Sequence, residues 1–278
     1  MADLKEKARQ IRRDIVTLVY RAGGGHIGGD LSVTDILVTL YYRHLNCSPE
    51  RVDDPNRDRL ILSKGHCVEA LYSILADRGY FPKSDLDHYS AYLSKYIGHP
   101  SSKVSGVEIS SGSLGHGLSV SVGMALAGKM DGAPYRVYTV MGDGELDEGS
   151  VWEGAMAANQ YRLDNLTAIV DRNRLQISGS TEDVMAQDSQ KDRWQSFGWH
   201  AIEVPGNDTD ALDRALEEAK NTRGKPTVII ADTVKGCGVS FMENKAGWHH
   251  RLPTEEEYRQ AMKELGAEGA TENESDRR

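Results

Sequence analysis

Cysteine is scarce in this sequence, and its few copies are spread along the chain. The cysteines are Cys47, Cys67 and Cys237, and none of them belongs to a C-x-x-C pair. An odd, scattered set argues against a disulfide framework and is typical of free thiols in a reducing compartment. We therefore do not expect a small secreted domain held together by disulfides.

Long hydrophobic runs are also missing. No apolar stretch approaches the roughly 20 residues that a membrane-spanning helix needs. The N-terminal sequence MADLKEKARQIRRDIV mixes charged and apolar residues, whereas a signal peptide requires an uninterrupted apolar core. The sequence thus predicts a soluble, cytoplasmic protein that has no membrane partner.

Basic residues are outnumbered by acidic ones. The 33 Lys and Arg stand against 42 Asp and Glu, which gives a formal net charge of −9. Neutralising nucleic-acid phosphates needs clustered basic side chains, so we expect no nucleic-acid partner. A small anionic ligand stays compatible with this charge, because local geometry decides its binding.

The 39% of hydrophobic residues excludes a disordered chain and supports a sizeable core.

Helical and strand-like patterns alternate along the chain. Apolar residues at helical spacing predict an amphipathic helix over residues 4–22, and a second helix is expected to begin after Ser32 and to end near Leu45. Short apolar runs predict strands at residues 59–62, 137–141, 166–170, 199–204 and 227–231. Further helices are predicted at residues 67–75, 113–130, 151–161, 189–197 and 211–220. This alternation predicts an α/β fold with a doubly wound, mainly parallel sheet and helices on both faces.

One domain is expected over residues 1–265, since no linker-like stretch interrupts it. The remaining residues 266–278 read GAEGATENESDRR, which is small, polar and charged. Such a composition cannot bury apolar surface, so we expect a disordered polar tail.

Two polar segments follow neighbouring predicted strands. Gly142-Asp143-Gly144 comes after one strand, and Asn173 comes after the next. Ligands of doubly wound sheets bind at these strand ends. A carboxylate and an amide oxygen suit Mg²⁺, which takes further oxygens from phosphate and water, and the glycines let backbone N–H groups approach a phosphate. The pattern indicates a diphosphate–metal site, although a pair of ordinary turns is the simpler alternative.

Several histidines lie in glycine-rich loops, and their order along the chain matters more than any single one, because a buried histidine is more often structural than catalytic. The motifs are GGHIGG around His26, SKGH ending at His66, GHP around His99, SGSLGHG from Ser111, and KG at Lys235 followed by WHH from Trp248. With Gly142-Asp143-Gly144 and Asn173 in register, the series resembles the first domain of transketolase over about residues 8–258.

The resemblance implies a thiamine-diphosphate-binding fold of the PP type, with thiamine diphosphate and Mg²⁺, or else Ca²⁺ or Mn²⁺, as cofactors. The implied metal ligands are Asp143, Asn173 and the main-chain oxygen of Leu175. The implied cofactor contacts are His66, Gly112, Ser113, Leu114, Gly144, Glu145, Asn173 and His249. The implied catalytic residues are His26, His99 and His249, which would face the donor sugar and move protons, and Glu148, which would join a hydrogen-bond network between chains.

The activity implied by the resemblance is transfer of a two-carbon ketol unit from a ketose, as a phosphate or an analogue, to an aldose. A transketolase normally continues into a pyrimidine-binding domain, whose glutamate activates the cofactor. We therefore expect an α2β2 assembly with a separate C-terminal transketolase subunit; a truncated chain is the alternative. This sequence departs from many single-chain transketolases at Ile27, His116 and Arg172, which leaves the donor and acceptor sugars open.

Other classes of protein fit these motifs less well. The α subunit of a 2-oxo acid dehydrogenase has the same kind of metal-binding pair as Asp143 and Asn173. It should, however, lack the His26, His99 and Trp248-His249 set. A deoxyxylulose-phosphate synthase is normally one longer chain with different loops. A non-catalytic scaffold has no need to keep two metal ligands together with His66 and His249.

Overall fold

The computed structural model describes residues 3–267. Within them the strands are β1 (Arg59–Leu62), β2 (Val137–Gly142), β3 (Leu166–Arg172), β4 (His200–Pro205) and β5 (Thr227–Asp232). The helices are α1 (Leu4–Ala22), α2 (Ile27–Thr39), α3 (Val68–Asp77), α4 (His116–Met130), α5 (Gly149–Gln160), α6 (Thr181–Val184), α7 (Gln190–Ser196), α8 (Thr209–Asn221) and α9 (Glu255–Glu264). Of the predicted tail, residues 268–278 lie outside the described part.

A parallel sheet forms the centre of the fold, with the strand order β1-β2-β3-β5-β4. All its pairings are parallel, and Gly142 of β2 lies opposite Asp171 of β3. Every residue of β2 and β3 is buried, as expected for strands that are covered on both faces. The predicted α/β fold with a mainly parallel sheet is therefore confirmed.

Helices cover both faces of this sheet and divide the core in two. On one face, α1, α2, α3 and α8 pack against Tyr138, Val140 and Ile169. On the other face, α4, α5 and α7 pack against the alternating strand residues Met141 and Val170. Because successive residues of a strand point to opposite faces, one apolar strand supplies both cores.

Helix α1 matches the predicted bounds. Asp3 caps it by accepting hydrogen bonds from the N–H groups of Lys5 and Glu6, and the helix ends at Gly23, whose φ of 65° is left-handed. This 19-residue helix is amphipathic, because its outer face is charged. Across residues 3–267, no helix joins the length and the apolar character that crossing a bilayer requires.

Helix α2 begins earlier than predicted, at Ile27 and not after Ser32. Gly28 and Gly29, which were expected in a loop, lie inside this helix. The packing around them leaves no room for a larger side chain. A Cβ on Gly28 would lie 2.7 Å from the Trp248 carbonyl oxygen, and one on Gly29 would lie 2.7 Å from Cys67 Sγ. Tertiary packing has thus overridden the poor helix propensity of glycine. The N-terminus of α2 therefore directly follows His26 in the chain.

Two glycines of α4 provide a matched test of this packing. A Cβ on Gly117 would lie 2.9 Å from the Ser63 Cα, whereas a Cβ on Gly123 would meet nothing within 4 Å. We expect Gly117→Ala to lower the free energy of unfolding by roughly 1–3 kcal/mol through overpacking. Gly123→Ala should raise it by about 0.5–1 kcal/mol through helix propensity. Urea denaturation of both variants checks this, and an equal effect at the two positions would contradict it.

Candidate functional site

The predicted site residues lie where the parallel strands end. The Ser63–His66 segment follows β1, Asp143 follows β2, Asn173 follows β3 and Lys235 follows β5 closely. Because these strands run in one direction, their carboxyl ends share one edge of the sheet. The fold therefore brings together residues that are far apart in the chain.

Asp143 and Asn173 lie beside each other at this edge, as the sequence predicts. The Asp143 N–H donates to the Asp171 carbonyl at 3.2 Å, and Asp143 Oδ2 accepts from the Arg174 N–H at 2.5 Å. Asn173 Oδ1 accepts from the N–H of Leu175 at 3.2 Å. The Leu175 carbonyl oxygen, the third predicted ligand, accepts from Lys235 Nζ at 3.0 Å.

The donor set at this edge fits a hard divalent cation held jointly with a phosphate group. Over residues 3–267 no group of three or more His, Cys, Asp or Glu side chains is arranged to hold a metal. A cation here would therefore rely on the Asp143 carboxylate, the amide and carbonyl oxygens, and oxygens brought by a ligand. Burial and the charge of Asp171 raise the pKa of Asp143, so a positive charge nearby would favour its ionised form.

His26 is the centre of a cluster of imidazoles above the strand ends. Its ring centroid lies 5.4 Å from that of His66, 6.0 Å from that of His99 and 5.6 Å from that of His249. His250, which received no role from the sequence, is nearer still at 4.7 Å. The structure thus assembles all three histidines predicted to face the sugar.

Burial lowers the pKa of four histidines of the cluster, which favours their neutral form; they are His26, His66, His99 and His249. Burial, followed by the neighbouring His250, lowers the pKa of His26 to about 4. Burial and Lys235 lower the pKa of His249 to about 3, and burial with Lys64 lowers the pKa of His66 well below its usual value. His26 Nδ1 is buried and has no hydrogen-bond partner in the described part of the chain. A neutral imidazole with a free nitrogen can accept a proton from a ligand.

The loop of residues 111–117 is packed tightly among these histidines. A Cβ on Gly112 would lie 2.8 Å from His99 Cδ2, and a Cβ on Gly65 would lie 2.8 Å from Ser111 Oγ. Within this loop, Leu114 is half-buried and Ser113 is exposed. Close backbone approach at the glycines therefore sets where His99 stands relative to the loop.

The predicted acidic residues occupy different surroundings. The buried Glu145 carboxylate accepts hydrogen bonds from the N–H groups of Gly115 at 2.9 Å and Gly142 at 3.1 Å, and from the Ser63 hydroxyl. Its side chain thus joins three loops. Glu148 is exposed at the start of α5. A Cβ on Gly144, the remaining predicted contact, would meet the Gln176 side chain at 2.9 Å.

Two buried lysines beneath the cluster belong to motifs of the sequence but received no role from it. Lys64 pairs with the Asp171 carboxylate. Lys235 Nζ donates to His249 Nδ1 at 2.9 Å, and burial together with Lys64 lowers the pKa of Lys235 to about 8. The sequence feature that could have identified these lysines is the glycine that directly follows each of them, in SKGH and in KG. Both bring positive charge to a site in which a diphosphate is predicted.

Comparisons with known proteins agree on one family. A model described as "Transketolase, thiamine diphosphate binding domain" matches residues 4–274. An apulose-4-phosphate transketolase subunit of Phocaeicola vulgatus is 48% identical over 262 residues, which are 94% of this chain and 93% of that protein. The 6-deoxy-6-sulfo-D-fructose transketolase subunit SqwG of Clostridium sp. is 43% identical, over 96% of this chain and 98% of that protein.

A solved structure agrees in fold. The transketolase from Leishmania mexicana matches 99% of this chain with a TM-score of 0.91 and 28% sequence identity. This chain covers 43% of that transketolase chain. It thus spans less than half of the solved protein, but nearly the full length of the two subunits.

The neutral state of His26 predicts a pH dependence of stability. The unfolded chain takes up a proton near the ordinary histidine pKa of 6.5, whereas folded His26 does so only near 4. Stability from this group is therefore complete above pH 6.5 and is lost as the pH falls towards 4. We expect His26→Asn to weaken the loss of stability on acidification by up to about 1.4 kcal/mol per pH unit. Thermal unfolding between pH 7 and pH 5 measures it, and exposed His88→Asn serves as the control; identical slopes for the two variants would contradict it.

Proposed function

This chain belongs to the transketolase family, and from that membership we propose that it is the cofactor-binding subunit of a two-chain transketolase. The enzyme transfers a two-carbon ketol unit from a ketose, as a phosphate or an analogue, to an aldose. The observation that carries this proposal is the meeting of oxygen ligands and neutral imidazoles at one sheet edge. The same family membership favours this function over the 2-oxo acid dehydrogenase, deoxyxylulose-phosphate synthase and scaffold alternatives.

Thiamine diphosphate and Mg²⁺ are the proposed cofactors, with Ca²⁺ or Mn²⁺ as alternative cations. Asp143, Asn173 and the Leu175 carbonyl would hold the cation, because hard oxygens of this kind suit all three ions. His66, His249 and the Gly144 N–H would contact the diphosphate. Lys235 lies between the Leu175 carbonyl and His249, so we add its ammonium group to the diphosphate contacts.

The ring of the cofactor would rest on the glycine-rich loop. Gly112, Ser113 and Leu114 are the proposed contacts, whereas Glu145, which the resemblance also implies as a contact, has a supporting part. Since the Glu145 carboxylate is fully engaged by Ser63 and backbone N–H groups, its part is to hold the loops, not to touch the cofactor. This keeps Gly115 and Gly142 in fixed positions on two sides of the site.

Proton movement is the proposed task of the imidazoles. When bound, thiamine diphosphate supplies an electron sink for cleavage of a carbon–carbon bond in the ketose. His26, His99 and His249 would face the sugar beside the cofactor, and each is neutral near pH 7 because its pKa is lowered by burial. A neutral imidazole accepts a proton from a sugar hydroxyl and returns it later. His26, which lies at the centre of the imidazole cluster, is our choice for the first transfer.

A second chain is proposed to complete the active site. Both relatives described above carry "subunit" in their names, and this chain spans 43% of the solved transketolase. We propose that a C-terminal, pyrimidine-binding subunit supplies the rest, in a cytoplasmic α2β2 assembly. Exposed Glu148 would enter the hydrogen-bond network between the chains.

Loss of the carboxylate at position 143 should weaken cofactor retention. Asp143→Ala removes a charged metal ligand, and we expect the affinity of the two-chain complex for thiamine diphosphate in Mg²⁺ to fall at least roughly tenfold, as for the loss of a metal-site contact. Calorimetry of the complex measures this affinity. Exposed Asp53→Ala is the control, because it removes an equal charge far from the strand ends. Equal affinities for the two variants would exclude the proposed metal site.

Turnover should depend on His26 while cofactor binding does not. We expect His26→Asn to slow ketol transfer on the order of 10²–10⁴-fold, the usual range for loss of a proton-transferring group. The assay uses the two-chain complex and a panel of ordinary, branched and sulfonated ketoses. Thiamine diphosphate affinity should stay close to that of the wild type, and His88→Asn should be fully active. A fully active His26→Asn variant would remove His26 from the mechanism.

A further inference from the structure

Two buried carboxyl groups lie directly behind the histidine cluster and have no part in the proposed chemistry. Asp30 belongs to α2 and Glu69 belongs to α3, and both side chains are completely buried. Buried carboxylates normally require a cation or several hydrogen-bond donors. The nearest cation, Lys64, is already paired with Asp171.

Each of the two carboxyl groups has one satisfied and one unsatisfied oxygen. Asp30 Oδ1 accepts from the Ala70 N–H at 2.8 Å, and Glu69 Oε1 accepts from the Tyr89 hydroxyl at 2.8 Å. Asp30 Oδ2 and Glu69 Oε2 are buried and have no other partner in the described part of the chain. The two side chains contact each other, and one proton between them would satisfy both oxygens at once.

Electrostatics favours such a shared proton. Burial and the neighbouring Glu69 raise the pKa of Asp30 well above its usual value, and burial raises the pKa of Glu69. Two like charges in contact inside a protein cannot both be ionised at low cost. The other titratable groups that face the pair are Lys64, the Cys67 thiol and the Tyr89 hydroxyl. None of them neutralises a second negative charge.

Glu69 also supports the two loops that carry His26 and His99, the first directly and the second through Tyr89. A Cβ on Gly25 would lie 2.4 Å from Glu69 Oε1, so only glycine lets the His26 loop pack on this carboxylate. The main-chain N–H of His26 also lies near the Glu69 carboxylate and works against the rise of its pKa.

The second loop is reached through Tyr89. Its hydroxyl donates to Glu69 Oε1 and lies 3.7 Å from where a Cβ on Gly98 would stand, next to His99. The Tyr72 hydroxyl, also from α3, donates to the His99 carbonyl at 3.2 Å. One side of α3 therefore supports both histidine loops.

We propose that Asp30 and Glu69 share one proton through Oδ2 and Oε2, and that this pair positions the His26 and His99 loops. The part of the proposal that concerns catalysis rests on the proposed function. Both residues act through the histidines, so they are positioning residues and not catalytic ones.

The shared proton is tested by the amide Asp30→Asn, which resembles a protonated aspartate. Its Oδ1 keeps the bond from Ala70, and its Nδ2 donates to Glu69 Oε2 without any proton uptake. Folded wild-type protein must hold a proton that unfolded Asp30 releases above its ordinary pKa of 3.8, so wild-type stability from this group falls as the pH rises. We expect Asp30→Asn to melt at or above the wild-type temperature at pH 8, with a smaller advantage at pH 5.

Asp58→Asn is the matched control for this experiment. Asp58 is also buried, but its two oxygens accept backbone N–H groups from Asn46 at 2.9 Å and Arg136 at 2.8 Å. An amide there sets one NH₂ group against a donor, so the melting temperature should fall at both pH values. The readout is thermal unfolding of the full chain. A fall for Asp30→Asn as large as that for Asp58→Asn at pH 8 would overturn the shared proton.

The positioning role is tested by comparing Glu69→Gln with Glu69→Leu in the two-chain enzyme. Glutamine keeps an oxygen for Tyr89 and the His26 N–H, whereas leucine keeps the bulk and removes both acceptors. We expect Glu69→Leu to lower kcat on the order of 10- to 100-fold, as for loss of a supporting contact, and Glu69→Gln to recover most of it. The affinity for thiamine diphosphate should stay near that of the wild type in both, since no metal ligand is touched.

The stability experiment is independent of the proposed function, whereas the kcat comparison requires an active complex. If the complex shows no ketol transfer at all, the proposed function fails while the pH-dependent stability of Asp30→Asn still decides the shared proton. If the enzyme is active and Glu69→Leu matches the wild type in kcat, the positioning role is wrong. A loss of cofactor affinity equal to the loss of kcat would also overturn it, because general loosening and not loop position would then be the cause.

Discussion

Lys64 and Asp171 form a buried ion pair beneath the strand ends, and the loops of the site are attached to it. The Asp171 carboxylate also accepts from the Ser32 hydroxyl at 2.6 Å and from the Thr233 hydroxyl, while Lys64 reaches the Gly29 carbonyl at 3.3 Å. The segments that follow β1 and β5 are thereby tied to β3 and to α2. Removing one member of such a pair leaves an uncompensated buried charge, which costs about 3–5 kcal/mol.

The charge around this volume suits an anionic ligand, although the chain as a whole is acidic. Lys64 and Lys235 are both buried beneath the histidines, and their charge helps to keep His66 and His249 neutral by lowering the pKa of each. The proposed diphosphate would meet the Lys235 ammonium group, and a cation at Asp143 would offset the remaining negative charge. The net charge of −9 therefore says little about the ligand, because it is distributed mostly over the exposed surface.

Sequence reasoning succeeded where local pattern and parallel topology decide the outcome. Asp143 and Asn173 could be placed together because each follows a buried strand, and parallel strands end at one edge. Sequence reasoning failed where contacts between distant segments determine the structure. The start of α2 is one example, because it depends on the packing of Gly28 against Trp248. The buried pair of carboxyl groups between α2 and α3 could not be foreseen either, since nothing local brings these helices into contact. Helix α9 was missed for another reason, because its capping box, from Thr254 to Glu257, is a local signal that was not used.

Arg172 contacts Asp143, a ligand of the proposed metal site, without occupying all of its binding capacity. Its guanidinium lies 3.3 Å from Asp143 Oδ2, which is long for a charge-assisted hydrogen bond. The shorter contacts of the same group go to Thr181 at 2.8 Å and Glu182 at 2.7 Å, so most of its binding capacity is used on the segment that follows Leu175. The carboxylate of Asp143 is therefore partly balanced but not saturated by Arg172. A divalent cation at the proposed site would compete with the longest of these contacts, while the arginine would still hold the segment that follows Leu175.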